Sequence, residues 1–216
     1  NPSLRPDSNK CIPNVGLAYV ASAVERAGID LEIIDIDAHR YSNEEIERQV
    51  RTKKYDVVGI GNAIVDVLAQ TEDVFLLEHG FPKGTMSIID AVTAQTLYDQ
   101  KGPTTQISGG SAANTIAALT SLGGKAAFVG KVGNDDLGEF FRTDLQAIGV
   151  RFTTDTNTGG APTARSFIFV TPDAERTMLT FLGASVELRP KDIDPVLISQ
   201  SAVTYLEGYL WDPPKA

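Results

Sequence analysis

The chain has almost no cysteine and lacks an excess of basic residues. Cys11 is the only cysteine among 216 residues, so the sequence excludes an intrachain disulfide and a cysteine metal cluster. A lone cysteine fits a reducing compartment, and we expect the protein to be cytoplasmic. The 19 Lys and Arg residues are outnumbered by 28 Asp and Glu residues, which gives a formal net charge of −9. Because such a surface repels phosphate backbones and anionic lipids, we expect no nucleic-acid partner and no membrane partner.

Long hydrophobic runs are missing as well. No stretch approaches the roughly 20 apolar residues that a membrane-spanning helix needs. The first residues also lack the basic and then apolar pattern of a signal peptide. With 42% hydrophobic and 22% charged residues, the composition is typical of a folded, soluble protein of one large or two modest domains.

Helical and strand patterns alternate along the chain. This alternation predicts a three-layer α/β fold, in which helices cover a parallel sheet. The β-rich segments 67–90 and 150–181 break it and predict a small β flap, the second segment forming a hairpin across 173–175. We predict helices over 15–27, 42–52, 91–100, 111–122, from 135 or 136 to about 148, and 192–200. We predict strands over 31–36, 55–60, 104–108, 125–130 and 203–207.

Polar residues follow the strand predicted over 55–60. Asn62 and Asp66 come directly after it, and ligands of parallel sheets bind beyond the carboxyl ends of the strands. An amide and a carboxylate at such a position can hydrogen-bond vicinal hydroxyl groups. The alternative is that Asp66 only caps a turn, as aspartates often do.

A pair of glycines follows the strand predicted over 104–108. Gly109 and Gly110 precede the helix that carries Asn114, and glycine lets the backbone approach a ligand closely at a helix N-terminus. The alternative is a tight turn from strand to helix with Ser111 as the N-cap. The spacing matches neither a phosphate-binding P-loop nor the dinucleotide-binding fingerprint.

Several motifs occur together in one order. They are DVVGIGNAIVDVLA at 56–69, SGGSAANTIAALTSLGGKAAFVGKVGNDDLGEFF at 108–141, ARSFIFVTPDAERTMLTFLGASVEL at 164–188 and VTYLEGYLW at 203–211. Residues 55–216 thereby resemble the N-terminal part of the ribokinase, or PfkB, family of sugar and nucleoside kinases. The segment FPKGTMSII at 81–89 is most similar to adenosine-kinase-like members. The resemblance implies a ribokinase-like domain, incomplete in this chain.

The resemblance also implies a function and a binding site. The family's complete members transfer a phosphoryl group from ATP, with magnesium, to a hydroxymethyl group of a sugar or nucleoside. At the matching positions, Asp66 and Asn114 hold the sugar hydroxyls, Gly109 and Gly110 line the pocket with their backbone, and Asn62 lies beside it. Met86 and Phe169 on the flap cover a base or ring, or else serve as plain hydrophobic packing. Flaps of this type can also pair two copies, which implies a homodimer.

Other family motifs are not found in the sequence. The Gly-Ala-Gly-Asp element with its catalytic Asp and the Asn-x-x-Glu motif tied to magnesium are both missing. We therefore expect the substrate-binding portion of a kinase, without catalytic or metal-binding residues and without turnover on its own. An alternative is a chimera or scaffold protein with no ligand.

Residues 1–61 carry a different resemblance, to part of the flavodoxin-like cobalamin-binding domain of radical S-adenosylmethionine proteins. The family's Asp-x-His-x-x-Gly motif is only partly matched by Asp37 to Ser42, which follow the wrong strand and lack the glycine. We therefore do not expect cobalamin binding, and a remnant cobalamin-binding module is the last alternative. The two resemblances predict a flavodoxin-like segment over 1–54 and a ribokinase-like domain over 55–216.

Overall fold

The computed structural model describes residues 53–100 and 102–211. From Lys54 onward these residues belong to one unit of the chain. The helices predicted over 15–27 and 42–52 and the strand predicted over 31–36 lie outside the described residues. The boundary predicted at residue 54 stays a prediction.

The first sheet has four parallel strands in the order β6-β5-β1-β9. Three of them are the predicted strands, at nearly the predicted bounds. Their runs are almost continuously apolar, as expected for parallel strands buried on both faces. The strands are β1 Tyr55–Ile60, β5 Ala126–Val129, β6 Arg151–Phe152 and β9 Ser201–Leu206.

Both faces of this sheet are covered, so the predicted layers are confirmed. Helices α3 (Ser111–Ser121) and α4 (Asp136–Ala147) cover one face, where the rings of Phe128, Phe141 and Phe152 lie 5.5–5.9 Å apart. On the other face, Val58 and Ala127 pack against Leu197 of α5 (Pro195–Ser199) and neighbouring apolar residues.

The second sheet is mixed and has the strand order β3-β8-β7-β2-β4. Strands β7 and β8 form the predicted antiparallel hairpin. The sheet differs from the predicted flap in two places. Strand β4 belongs to it, because β4 pairs with β2, whereas β6 pairs with β5 in the first sheet, where Phe152 is buried. The strands are β2 Ile64–Gln70, β3 Met86–Ile88, β4 Thr105–Gly109, β7 Ala164–Val170 and β8 Arg176–Phe181.

Two helices differ from the sequence-based prediction, and one more matches it. Helix α1 (Asp73–Glu78) lies where only strands and turns were predicted. The helix predicted over 192–200 begins later, at Pro195, because Asp194 caps it by accepting the Val196 N–H at 2.9 Å. Helix α2 (Ala91–Gln100) has its predicted bounds. Among the described residues, no helix is long and apolar enough to span a membrane.

Candidate functional site

The site lies where the chain passes between the two sheets. After β1 the chain leaves the first sheet through residues 61–63 and enters β2 of the second sheet. After β4 it returns through Gly110 into α3. Gly110 has a φ of 102°, a conformation that favours glycine, and an added Cβ would overlap the Asn62 carbonyl oxygen. The two connections are therefore in direct contact.

The Asp66 carboxylate lies against this contact. Asp66 is in the middle of β2, opposite Ile107 of β4, and its carboxylate occupies the space that a Cβ on Gly109 would need. The side chain makes no hydrogen bond to any residue in the described ranges. Burial raises the pKa of Asp66 from its ordinary value to about 6. Asp66 is therefore a half-buried carboxylate that accepts no hydrogen bond from the described residues, and not a turn cap.

Asn62 offers a second unsatisfied acceptor. The residue is only 3% exposed, and its side-chain oxygen Oδ1 has no hydrogen-bond partner within the described part of the chain. Leaving a buried polar atom unpaired costs about 1–3 kcal/mol. A ligand hydroxyl that donated to this oxygen would remove that cost.

Asn114 lies in the first turn of α3. Its backbone N–H donates to the Gly110 carbonyl at 2.9 Å, and its side chain is exposed. Gly110 itself is the N-cap, and Ser111 is the first residue of the helix and not the cap. The structure thus brings Asn62, Asp66, Gly109 and Gly110 together and places Asn114 one helical turn beyond them.

The two predicted flap residues lie on opposite faces of the second sheet. Met86 is 52% exposed at the edge of the sheet. The strand registers place it on the same face as Asp66, in the row of Leu68 and three strand spacings, or about 14 Å, across the sheet. Phe169 is only 7% exposed and packs on the other face, with its ring 5.2 Å from that of Phe75. For Phe169 the position favours the second predicted alternative, hydrophobic packing, because successive side chains of a strand alternate between faces.

Sequence analysis missed Glu207, which follows β9. Its carboxylate accepts the backbone N–H groups of Asn62 and Ala112 at 2.6 and 2.9 Å, and the residue is 3% exposed. Burial raises the pKa of Glu207, an effect that hydrogen bonds from Asn62 and Ala112 oppose. The available sequence signal was a charged residue at the end of an apolar strand.

Within residues 53–100 and 102–211, no group of three His, Cys, Asp or Glu residues could hold a metal ion. We therefore assign no magnesium ligand to this part of the chain, and no reaction step that passes through magnesium.

Two family models match the chain. The model described as "pfkB family carbohydrate kinase" matches residues 85–215, and the model described as "B12 binding domain" matches residues 7–78. The second match extends into β1 and β2, both of which lie in the sheets described above.

The solved structures and curated proteins that are similar to this chain include an adenosine kinase, a probable sugar kinase and a fructokinase. The adenosine kinase from Sinorhizobium meliloti is 56% identical, with a TM-score of 0.69 over 75% of this chain and 50% of that one. A probable sugar kinase from Rhizobium etli CFN 42 is 48% identical, with a TM-score of 0.70 over 76% and 49%. Probable fructokinase-3 of Arabidopsis thaliana is 37% identical over 97 residues, which are 44% of this chain and 28% of the fructokinase. The chain thus spans at most about half the length of these relatives.

Proposed function

The chain belongs to the pfkB family of carbohydrate kinases, and on that premise we propose that residues 55–216 form the substrate-binding portion of an ATP-dependent sugar or nucleoside kinase. The observation that carries this proposal is the Asp66 carboxylate, which lies against Gly109 without a hydrogen-bond partner among the described residues. ATP and magnesium are the cofactors that we propose for the complete protein.

Two vicinal hydroxyl groups suit the chemistry of this site. The ionised Asp66 carboxylate accepts hydrogen bonds only, and hydrogen bonds to charged groups are stronger than those between neutral groups. Asn62 adds a buried amide oxygen that has no hydrogen-bond partner among the described residues. Gly109 and Gly110 line the site with their backbone, because the Asp66 carboxylate and the Asn62 carbonyl oxygen occupy the space that their Cβ atoms would need. Asn114, exposed in the first turn of α3, supplies both a donor and an acceptor at the rim.

Adenosine and fructose are the first ligands to test. The solved relative with 56% identity is an adenosine kinase, and several curated relatives are fructokinases. Both molecules present vicinal hydroxyls. Isothermal titration calorimetry should detect binding of at least one of them, and adenine, which lacks the ribose, should bind far more weakly than adenosine.

The decisive variant is Asp66→Asn. Removing the charged acceptor should weaken binding by about 10- to 100-fold, the equivalent of a hydrogen bond to a charged group. Asp173→Asn is the matched control, because Asp173 is an exposed carboxylate of the β7–β8 turn that pairs with Lys83 at 2.6 Å. Equal affinity of Asp66→Asn and the unmodified chain would contradict the proposed site.

The pH dependence of binding gives a second test. A ligand that needs the ionised carboxylate should bind with constant affinity above pH 7. Because the pKa of Asp66 is about 6, affinity should then fall about tenfold for each pH unit below that value. Asp66→Asn should lose this dependence.

Two further assignments accompany the proposal. We place the protein in the cytoplasm on the basis of its single cysteine, and we propose that two copies pair through the second sheet.

Cobalamin binding is a second candidate function, favoured by the match of the B12-binding model to residues 7–78. We expect a negative result, because the motif at Asp37 to Ser42 lacks its glycine. A shift of the cobalamin absorbance spectrum on mixing would establish this second function.

A further inference from the structure

Glu207 is a buried carboxylate at the end of the first sheet where the chain crosses to the second. Its backbone N–H donates to the Ile60 carbonyl at 3.2 Å, which extends the pairing of β9 with β1 by one residue. The residue is 3% exposed, and none of the ion pairs between described residues includes it. A buried charge with no cation beside it needs another source of stabilisation.

Backbone N–H groups supply that stabilisation. Oε1 accepts the N–H of Asn62 at 2.6 Å, and Oε2 accepts the N–H of Ala112 at 2.9 Å. Ala112 lies in the first turn of α3, where the helix dipole favours a negative charge. The space is reserved for the carboxylate, because an added Cβ on Gly61 would overlap Oε2.

The two N–H donors belong to different arms of the candidate site. Asn62 begins the arm that leads into β2 and Asp66, and Ala112 begins the arm that carries Asn114. In the described residues, one carboxylate bonds both arms at once. Its loss would leave two backbone N–H groups without this acceptor, and unpaired buried donors favour movement of the segments that carry them.

We propose that Glu207 is a positioning residue, whose carboxylate holds the arm of Asn62 and Asp66 at a fixed distance from the arm of Asn114 so that both can bind one ligand. This inference rests on the function proposed above for its ligand, whereas the fixing of the two arms is measurable without one.

Amide hydrogen exchange of the ligand-free chain tests the fixing of the arms. Glu207→Gln keeps the size of the side chain but replaces one acceptor oxygen with a donor. We expect exchange to become about 10- to 100-fold faster at 61–63 and 111–113 and to stay unchanged in the β7–β8 hairpin. The control is Asp56→Asn, which removes a carboxylate–backbone hydrogen bond of 2.8 Å to Lys125 at the opposite end of β1.

A second variant covers the case in which Glu207→Gln does not fold. Glu207→Asp keeps the charge but is one methylene shorter, so its carboxylate cannot reach both N–H groups. Exchange should become faster at 61–63, at 111–113 or at both. Unchanged exchange at both segments in a folded variant of either kind overturns the proposal.

Ligand affinity separates a positioning role from a purely structural one. The dissociation constant for adenosine or fructose should rise about 10- to 100-fold in Glu207→Gln, and less than that when Asp66→Asn is already present, because the arm no longer carries its acceptor. An unchanged dissociation constant in a folded variant overturns the positioning role. If the unmodified chain binds neither ligand, the proposed function fails, and hydrogen exchange alone then decides whether Glu207 fixes the arms.

Discussion

At Asp66, the folding stability of the protein opposes the ligand binding that we propose. Its pKa is raised from 3.8 in the unfolded chain to about 6 in the folded one, so the folded state holds its proton more tightly. Between these values the folded protein binds more protons, and the free energy of unfolding therefore falls as the pH rises. Ionised Asp66 thus destabilises the fold at neutral pH.

Asp66→Asn should therefore stabilise the protein while weakening its binding of hydroxyl ligands. The gain in the free energy of unfolding should be small near pH 4 and rise to at most about 3 kcal/mol above pH 7, because each pKa unit corresponds to about 1.4 kcal/mol. Urea denaturation at pH 4.5 and 7.5 measures it. A stability gain that is the same at both values would show that the charge is not its cause.

Gly110 is the second residue at which we expect a substitution to change the stability of the fold. Gly110→Ala places a side chain on a backbone with a φ of 102° and against the Asn62 carbonyl oxygen. The backbone strain alone costs roughly 1–3 kcal/mol, because a φ of 102° with a ψ of 143° is a combination that residues with a Cβ rarely adopt. Gly123→Ala is the matched control, because its φ is 93° and an added Cβ there meets nothing within 4 Å. By thermal denaturation Gly110→Ala should lose clearly more stability than Gly123→Ala; equal losses would contradict the overlap with Asn62.

At the scale of elements, the sequence predicted the strands and the hairpin whose formation depends mainly on neighbouring residues. The apolar runs of β1 and β5 and the β7–β8 hairpin were recognised from sequence. Helix α1 was missed because six residues are too few to show a helical period. The membership of β4 in the second sheet depends on pairing with β2, which is distant in sequence.

In the candidate site, too, residues with a local sequence signal were predicted and a residue that depends on distant contacts was missed. Asn62, Asp66 and the two glycines were predicted because they follow strand ends. Glu207 was missed because its role depends on two N–H groups, one of them 145 residues away in sequence. For Phe169 both ligand contact and hydrophobic packing stayed open, since the sequence of β7 does not tell which of its two faces is covered.

Lys131, in the connection after β5, forms a buried ion pair with Asp192. Lys131 Nζ lies 2.6 Å from Asp192 Oδ1, and both side chains are less than 10% exposed. Burial raises the pKa of Asp192, but the hydrogen bonds from Lys131 and from the Arg189 N–H outweigh it and lower the pKa overall. Removing only one partner of such a pair strongly destabilises the fold, because the other charge stays buried without a counter-charge.

Replacing Asp192 and replacing Lys131 should lower the free energy of unfolding by unequal amounts. Asp192→Ala leaves the Lys131 ammonium buried without its carboxylate and should cost about 3–5 kcal/mol. Lys131→Met leaves Asp192 with the Arg189 N–H, 2.9 Å away, and should cost less. Urea denaturation of the two single variants and the double variant measures the coupling. Additive losses would contradict a direct interaction between the two groups.

At the scale of the whole unit, the second sheet leaves one face partly uncovered. The strand registers align Ile88, Thr180, Ser166, Asp66 and Ile107 in one row across this face. The two ends of the row are exposed apolar residues, with Ile88 at 59% and Ile107 at 44%. The carboxylate of the candidate site therefore lies in a row whose middle is polar and whose two ends are exposed and apolar.

Burial of this face against a second copy would explain its composition, because exposed apolar patches mark interaction sites. Sedimentation velocity should then show a monomer–dimer equilibrium that depends on concentration. Ile88→Lys should shift it towards the monomer by at least about tenfold in the dissociation constant, since a charge would be buried in the contact. Val92→Lys is the control, because Val92 is 76% exposed on α2, outside this sheet. A monomer at every concentration, or an equal effect of both variants, would contradict pairing through this face.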